Sequence, residues 1–254
     1  MKVSVCSEAI FSGVEYEQGM RALAKAGYCD LEFWTWWSKD LDILKSLKEE
    51  YSINFTAMCA KPASLVDASR RDEFKQNLIE SINYAQEIGC KTLIGLVGDE
   101  LPGIERCVQH ESIVTGLKEM APLLEEADIQ LVIEPLNTRV EHKGYYLWDA
   151  DEAFEIIDEV GSPNVKILFD IYHQQIMQGD LLRRIEANID KIGHFHAAGN
   201  PGRGELFKGE INYPEISRAI DSYGYKGYIG LEYFPKKDIL DGLKRCFDIC
   251  VNYS

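Results

Sequence analysis

The sequence predicts a closed (β/α)8 barrel, and two observations carry that expectation. Eight short apolar segments rich in strand-forming residues alternate with amphipathic stretches at helical spacing. No linker or shift in composition divides the 254 residues, so they read as a single domain, 1–254. Alternating β and α units build a parallel sheet with right-handed crossovers. Eight such units in about 250 residues close into a barrel. The competing arrangement, a doubly wound open sheet, lacks its GxGxxG turn after the first strand.

The elements follow in order. Residues 3–6 read as the first strand, and 15–25 as an amphipathic helix stopped by Gly27. Residues 29–33 form the second strand, and 40–50 a helix with Leu41, Leu44 and Leu47 on one side. The third strand spans 53–59, Lys61-Pro62 opens its loop, and a long helix runs over 70–88 to Gly89. After a fourth strand at 91–97, a loop with Gly98, Pro102 and Gly103 leads to a helix at 104–127. Pro122 predicts a break or kink there, because proline lacks the N–H and crowds the preceding turn.

The fifth strand is 129–134, followed by a polar loop at 137–146 and a helix at 149–160 stopped by Gly161-Ser162-Pro163. The sixth strand is 165–170, and the helix at 172–188 is interrupted at Gly179. A seventh strand at 191–197 leads into a loop at 199–212 carrying four glycines and one proline. Pro214 sits in the first turn of a helix at 214–223, where proline is tolerated. The eighth strand is 227–233 and the closing helix 237–251.

Charge and cysteine content narrow the function. With 42 acidic against 27 basic residues, the net charge of -15 opposes binding to nucleic acid or an anionic membrane. Seven scattered cysteines, odd in number and without a CxxC pair, argue for reduced thiols rather than a disulfide scaffold or thiolate zinc site. Neither a signal peptide nor an apolar stretch long enough to span a bilayer is legible, so the expected location is cytoplasmic. The expected partner is a small hydroxy-carbonyl or sugar substrate; a homo-oligomer is compatible with the sequence.

The chemistry is written at the strand ends. Leu131-Val132-Ile133 delivers Glu134, and Pro135 then ends the ladder. Val165 to Phe169 ends in Asp170, Ile192 to Phe195 leads to His196, and Tyr228 to Leu231 ends in Glu232. Taken singly, each acidic residue reads as a helix cap or surface group. Four such residues on the last four strands read together as one site, since barrel active sites lie at the C-terminal strand ends. Three carboxylates and one imidazole suit a divalent metal ion, Mn²⁺ or Mg²⁺.

Further candidates surround that point. His173 lies one turn after Asp170 and reads either as a bonded core histidine or as a neutral donor to a substrate oxygen. Arg203, in the loop after His196, is either a solvated cation or a bidentate grip on a carboxylate. Trp34, Trp36 and Trp37 follow the second strand and serve as ordinary packing or as an apolar pocket wall. Glu32 ends the second strand and either joins the site or pairs with a cation; Asn212 reads as a helix cap.

With these motifs in place, the sequence resembles the hydroxypyruvate isomerase family of xylose isomerase-like barrels. The resemblance is sharpest at Ile133-Glu134-Pro135-Leu136-Asn137, Phe169-Asp170-Ile171-Tyr172-His173-Gln174, Asn200-Pro201-Gly202-Arg203-Gly204-Glu205 and Gly230-Leu231-Glu232-Tyr233. It implies that Glu134, Asp170, His196 and Glu232 hold the metal, that Glu134 and Glu232 also act as the acid/base pair, and that His173 and Arg203 touch substrate. Lys61 is expected to help Arg203 hold a substrate carboxylate. Two positions depart from the family pattern. His196 stands where hydroxypyruvate isomerases usually carry glutamine, as in the related ketose 3-epimerases, and Met58-Cys59-Ala60 lacks an expected His-Asn pair. Against an epimerase, Val140 occupies the position of a substrate-binding glutamate. The implied reaction is aldose–ketose isomerisation of hydroxypyruvate, with 2-oxo-tetronate isomerisation or ketose 3-epimerisation as alternatives.

Overall fold

A computed structural model describes residues 1–253. Eight parallel strands close in sequence order: β1 (Lys2–Cys6), β2 (Asp30–Phe33), β3 (Asn54–Cys59), β4 (Thr92–Gly95), β5 (Gln130–Ile133), β6 (Val165–Asp170), β7 (Ile192–Ala197) and β8 (Tyr228–Leu231). The helices are α1 (Ser7–Ile10), α2 (Tyr16–Lys25), α3 (Leu41–Tyr51), α4 (Arg71–Ile88), α5 (Arg106–Ala127), α6 (Ala150–Val160), α7 (Ile171–Met177), α8 (Leu181–Asn188), α9 (Tyr213–Ser222) and α10 (Ile239–Asn252). No helix among the described residues is long and apolar enough to cross a membrane.

The main elements lie where hydrophobic periodicity puts them. Gly179, at φ +63, separates α7 from α8 as expected. Pro122 does not divide α5, which is assigned as one helix of 22 residues. Losing a single N–H donor is outweighed by the flanking core contacts of Leu117, Met120, Ala121 and Leu124. The short α1 and the 3-10 turns at Trp36–Ser38 and Ala68–Arg70 carry no periodic signal and were not expected.

The core has two layers. Most buried apolar side chains fill the space between sheet and helices, while Ala57, Ile94, Val132 and Leu168 form a small separate cluster within the barrel. Strand side chains alternate between these layers. Counting two residues from Val132 and Leu168 reaches Glu134 and Asp170, on the same inward parity. His196 pairs across the sheet with Asp170 on one side and Gly230 on the other, and Glu232 lies two beyond Gly230. Sheet register alone therefore brings four polar side chains to one end of the barrel.

Candidate active site

The four strand-end residues meet. Glu134, Asp170, His196 and Glu232 are all buried, and one ligand-type atom from each lies within 4.8 Å of the others. His196 Nδ1 is 3.7 Å from Glu134 Oε1 and 3.5 Å from Glu232 Oε2. The backbone holds each carboxylate in place. Glu134 N–H donates to Gly95 O at 3.3 Å, and Glu134 O accepts from the Tyr145 hydroxyl at 3.1 Å. Glu232 N–H continues the ladder onto Ala197 O at 3.1 Å. Asp170 serves twice: Oδ1 caps α7 by accepting from His173 N–H at 3.0 Å, and Oδ2 remains buried without a hydrogen-bond partner.

The electrostatics explain why these groups call for a cation. Burial raises the Glu134 carboxyl above its ordinary pKa, with Glu232 and Asp170 adding to the shift and His196 opposing it. Burial likewise raises Asp170, against Arg203 and His196. Burial also pushes Glu232 up, but His196, Arg203 and the Trp34 indole outweigh it and hold Glu232 below its ordinary value. For His196, burial opposes charge, yet Glu232, Glu32 and Glu134 raise its pKa well above the usual range. A cluster that binds a proton so readily suits a divalent ion that displaces it. Asp170 Oδ2 and both His196 nitrogens lack hydrogen-bond partners among the described residues, a costly state for buried polar atoms that metal coordination relieves. The donor set fits a metal.

Arg203 and Trp34 complete the wall beside Glu232. The Trp34 indole N–H donates to Glu232 Oε1 at 2.6 Å, and the Arg203 guanidinium pairs with Glu232 Oε2. Arg203 also reaches Glu141 at 3.4 Å and lies 5.5 Å from the Tyr172 ring and 5.7 Å from the Phe234 ring. Trp34 is held in turn by Glu8, absent from the sequence reading, whose carboxylate accepts from the Trp34 backbone N–H and from Thr35 N–H at 3.1 Å and pairs with Lys39 at 2.7 Å. His173 is buried, and burial together with Arg203 lowers its pKa to about 3, so it is neutral. A cavity of about 370 Å³ opens above these groups, walled by Trp34, Trp37, Cys59, Ile94 and Leu136. It adjoins a second of about 560 Å³, with which it shares Pro62, Leu96, Leu136 and His142.

Two expected positions are corrected, Lys61 and Glu32. Lys61 does not face the cavity: its ammonium pairs with Glu80 of α4 at 2.9 Å, and its N–H donates to Ser81, turning the side chain toward the helix layer. Glu32 does not reach substrate space either. It lies below His196 inside the barrel, with Oε2 2.8 Å from His194 Nε2 and Oε1 3.4 Å from His196 Nε2. Gly230 makes that placement possible, since a Cβ there would stand 1.9 Å from Glu32 Oε1. Trp36 is packing, tilted against Tyr84 at 4.8 Å, whereas Trp34 and Trp37 line the pocket. Asn212 caps α9 as expected, accepting from Glu215 N–H at 3.4 Å. Val140 is exposed and offers the cavity no polar group.

Comparison with known proteins places this geometry. The family profile described as xylose isomerase-like TIM barrel matches residues 20–249. The hydroxypyruvate isomerase of Escherichia coli is 32% identical over 252 residues, covering 96% of this chain and 97% of that protein. The chain belongs to the hydroxypyruvate isomerase family of xylose isomerase-like TIM barrels. A 2-oxo-tetronate isomerase from Cupriavidus necator is 34% identical over 174 residues, covering 68% of this chain and 66% of the relative. A solved structure from Brucella melitensis, described as an AP endonuclease of family 2, superposes with a TM-score of 0.90 at 29% identity, covering 96% of this chain and 97% of that one.

Proposed function

We propose that this member of the family is a metal-dependent aldose–ketose isomerase of a short hydroxy-carbonyl acid, with hydroxypyruvate and tartronate semialdehyde as the interconverted pair. One observation carries the reading: the carboxylates of Glu134 and Glu232 lie 3.7 and 3.5 Å from His196 Nδ1, with Asp170 completing a buried cluster of donors beside an open cavity. Moving a carbonyl to the neighbouring carbon needs a base at one carbon and an acid at the next. Two carboxylates beside a bound substrate would supply both.

Glu134, Asp170, His196 and Glu232 would hold the cation, and three carboxylates with one imidazole suit Mg²⁺ or Mn²⁺. When bound, such an ion supplies electrostatic stabilisation of the charge that develops on the substrate oxygens. One glutamate removes the proton from the hydroxyl-bearing carbon, giving the enediolate. The other returns a proton to the former carbonyl carbon, while the hydroxyl hydrogen passes from the first oxygen to the former carbonyl oxygen, and the roles exchange in the reverse direction. Glu232, lowered by Arg203 and Trp34, starts as the carboxylate base; Glu134, raised by burial, is the readier proton carrier. Arg203, at the wall of the cavity, is the cation available to a substrate carboxylate.

The test is a screen of hydroxypyruvate, 2-oxo-tetronates and ketoses with Mg²⁺ or Mn²⁺, products identified by NMR. Carbonyl migration in the acids is the expected outcome. Inversion at one carbon of a ketose, with the carbonyl unmoved, would replace this reading by 3-epimerisation, which the histidine at position 196 favours. A net charge of -15 opposes the DNA surface that an endonuclease requires.

A further inference from the structure

Asn137 lies two residues beyond Pro135, buried directly after the cavity-lining Leu136, and every hydrogen-bonding group of its side chain is committed. Its Oδ1 accepts from the backbone N–H of Val140 and of Glu141, both at 3.0 Å. Two N–H donors on that atom fix the amide, because the flipped amide would point its own hydrogens at them. Its Nδ2 is therefore the donor on the other side, giving one hydrogen to Glu141 Oε2 at 3.1 Å and one to His173 Nδ1 at 2.7 Å. The backbone N–H of Asn137 points at the same His173 nitrogen from 3.3 Å.

A nitrogen facing two donors must offer its lone pair. From this geometry we infer that Asn137 locks His173 in the Nε2–H tautomer and so turns its ring into a fixed hydrogen-bond donor to the substrate. His173 is one of the residues around the cavity, and its Nε2 is buried with no partner of its own. Its nearest carboxylate oxygen, Asp170 Oδ2, is 3.6 Å away, beyond an ordinary hydrogen bond. An unpartnered buried N–H at the wall of a substrate cavity is a donor awaiting an oxygen. The opposite tautomer would put a lone pair there and a hydrogen against two other hydrogens at Nδ1. The commitment of Nδ1 also removes His173 from the neighbouring cluster of Glu141, His142 and His173 as a second metal site.

Asn137 is thus a positioning residue, acting through His173. The lock itself is independent of the reaction; the donor role rests on the isomerase reading. The first test is made on the Mg²⁺-loaded wild type labelled with ¹⁵N-histidine, with His173 assigned by its absence in His173→Gln. Long-range proton–nitrogen correlations are expected to show a protonated Nε2 and a bare Nδ1. A protonated Nδ1 would overturn the lock, whatever reaction the protein catalyses.

The second test compares Asn137→Asp combined with Glu141→Gln against Glu141→Gln alone. The aspartate still caps the turn but presents an oxygen to His173 Nδ1, and the glutamine removes its repulsion from Glu141. The nitrogen pattern is expected to invert, with the melting temperature close to that of the single variant. Turnover should drop by about 10²–10³-fold, chiefly in kcat, as when a donor to developing charge is lost. Inversion with kcat unchanged would overturn the donor role, and an uninverted pattern would overturn the lock.

Discussion

Glu32 Oε1 faces His196 Nε2 at 3.4 Å inside the barrel, so the other nitrogen of that histidine, Nδ1, is the one turned toward Glu134 and Glu232. A carboxylate behind a ligating imidazole fixes both its orientation and its tautomer. Glu32→Gln is expected to weaken Mn²⁺ binding by about 10–100-fold in calorimetric titration. An unchanged affinity would leave Glu32 no part in orienting His196. Gly230→Ala should be harsher, since its Cβ would fall 1.9 Å from Glu32 Oε1 and 2.8 Å from His196 Cδ2.

Glu134→Gln and Glu232→Gln separate proton transfer from metal binding. Each amide keeps one oxygen for the ion but cannot carry the proton. Both variants should retain measurable Mn²⁺ binding and lose about 10²–10⁴-fold in kcat. In D₂O the wild type should incorporate deuterium at the carbon that gains a proton. Full turnover with no incorporation, together with active glutamine variants, would point to hydride transfer instead.

Arg203→Lys replaces a fork that spans Glu232 and Glu141 by a single point charge. The expected loss in kcat/KM on an acidic substrate is roughly 1.5–3 kcal/mol, the size of one charged hydrogen bond. Neutral ketoses should lose less, because only the Glu232 contact is at stake for them. Equal losses on both would remove Arg203 as a carboxylate reader.

Away from the site, His110 gives a pH-dependent stability. Burial opposes its protonation, but Glu159 at 2.9 Å and Glu152 at 3.2 Å raise its pKa above the ordinary 6.5. The raised folded-state value means that the stabilisation is fully present below the unfolded pKa and is lost as pH rises through the folded one. His110→Gln should therefore lower stability at about pH 5.5 by roughly 0.2–1 kcal/mol. The figure is small because solvent screens a partly exposed ring. The difference between variant and wild type should vanish in alkaline buffer; a difference that grows there would refute the ion pairs.

Much of this architecture is legible in the sequence because two periodicities write it. The helical spacing of Leu41, Leu44 and Leu47 and the apolar run into Glu134 each report a local geometry that the tertiary fold preserves. The convergence of Glu134, Asp170, His196 and Glu232 follows from strand parity and could be anticipated without contacts. Lys61 and Glu32 show where that logic stops. Both follow or end a strand, yet one turns outward to Glu80 and the other is drawn beneath His196 by the space at Gly230. The supports of Trp34 by Glu8 and of the Glu134 backbone by Tyr145 depend on loop paths set by distant partners, and no periodicity announces them. Pro122 misled for a related reason: a local penalty is overridden by packing on both sides of it.

The groups proposed to move protons are carried by strand ends, whereas Trp37, Pro62 and His142 line the cavity from the segments that connect strands to helices. This separates two evolutionary risks. A change at those three residues alters what can enter without shifting the register that aligns Glu134, Asp170, His196 and Glu232. A library confined to them would begin from an intact reaction centre, so each variant reports on substrate choice rather than on loss of chemistry. Related barrels can diversify in this way, by editing the doorway while inheriting the machinery beneath it.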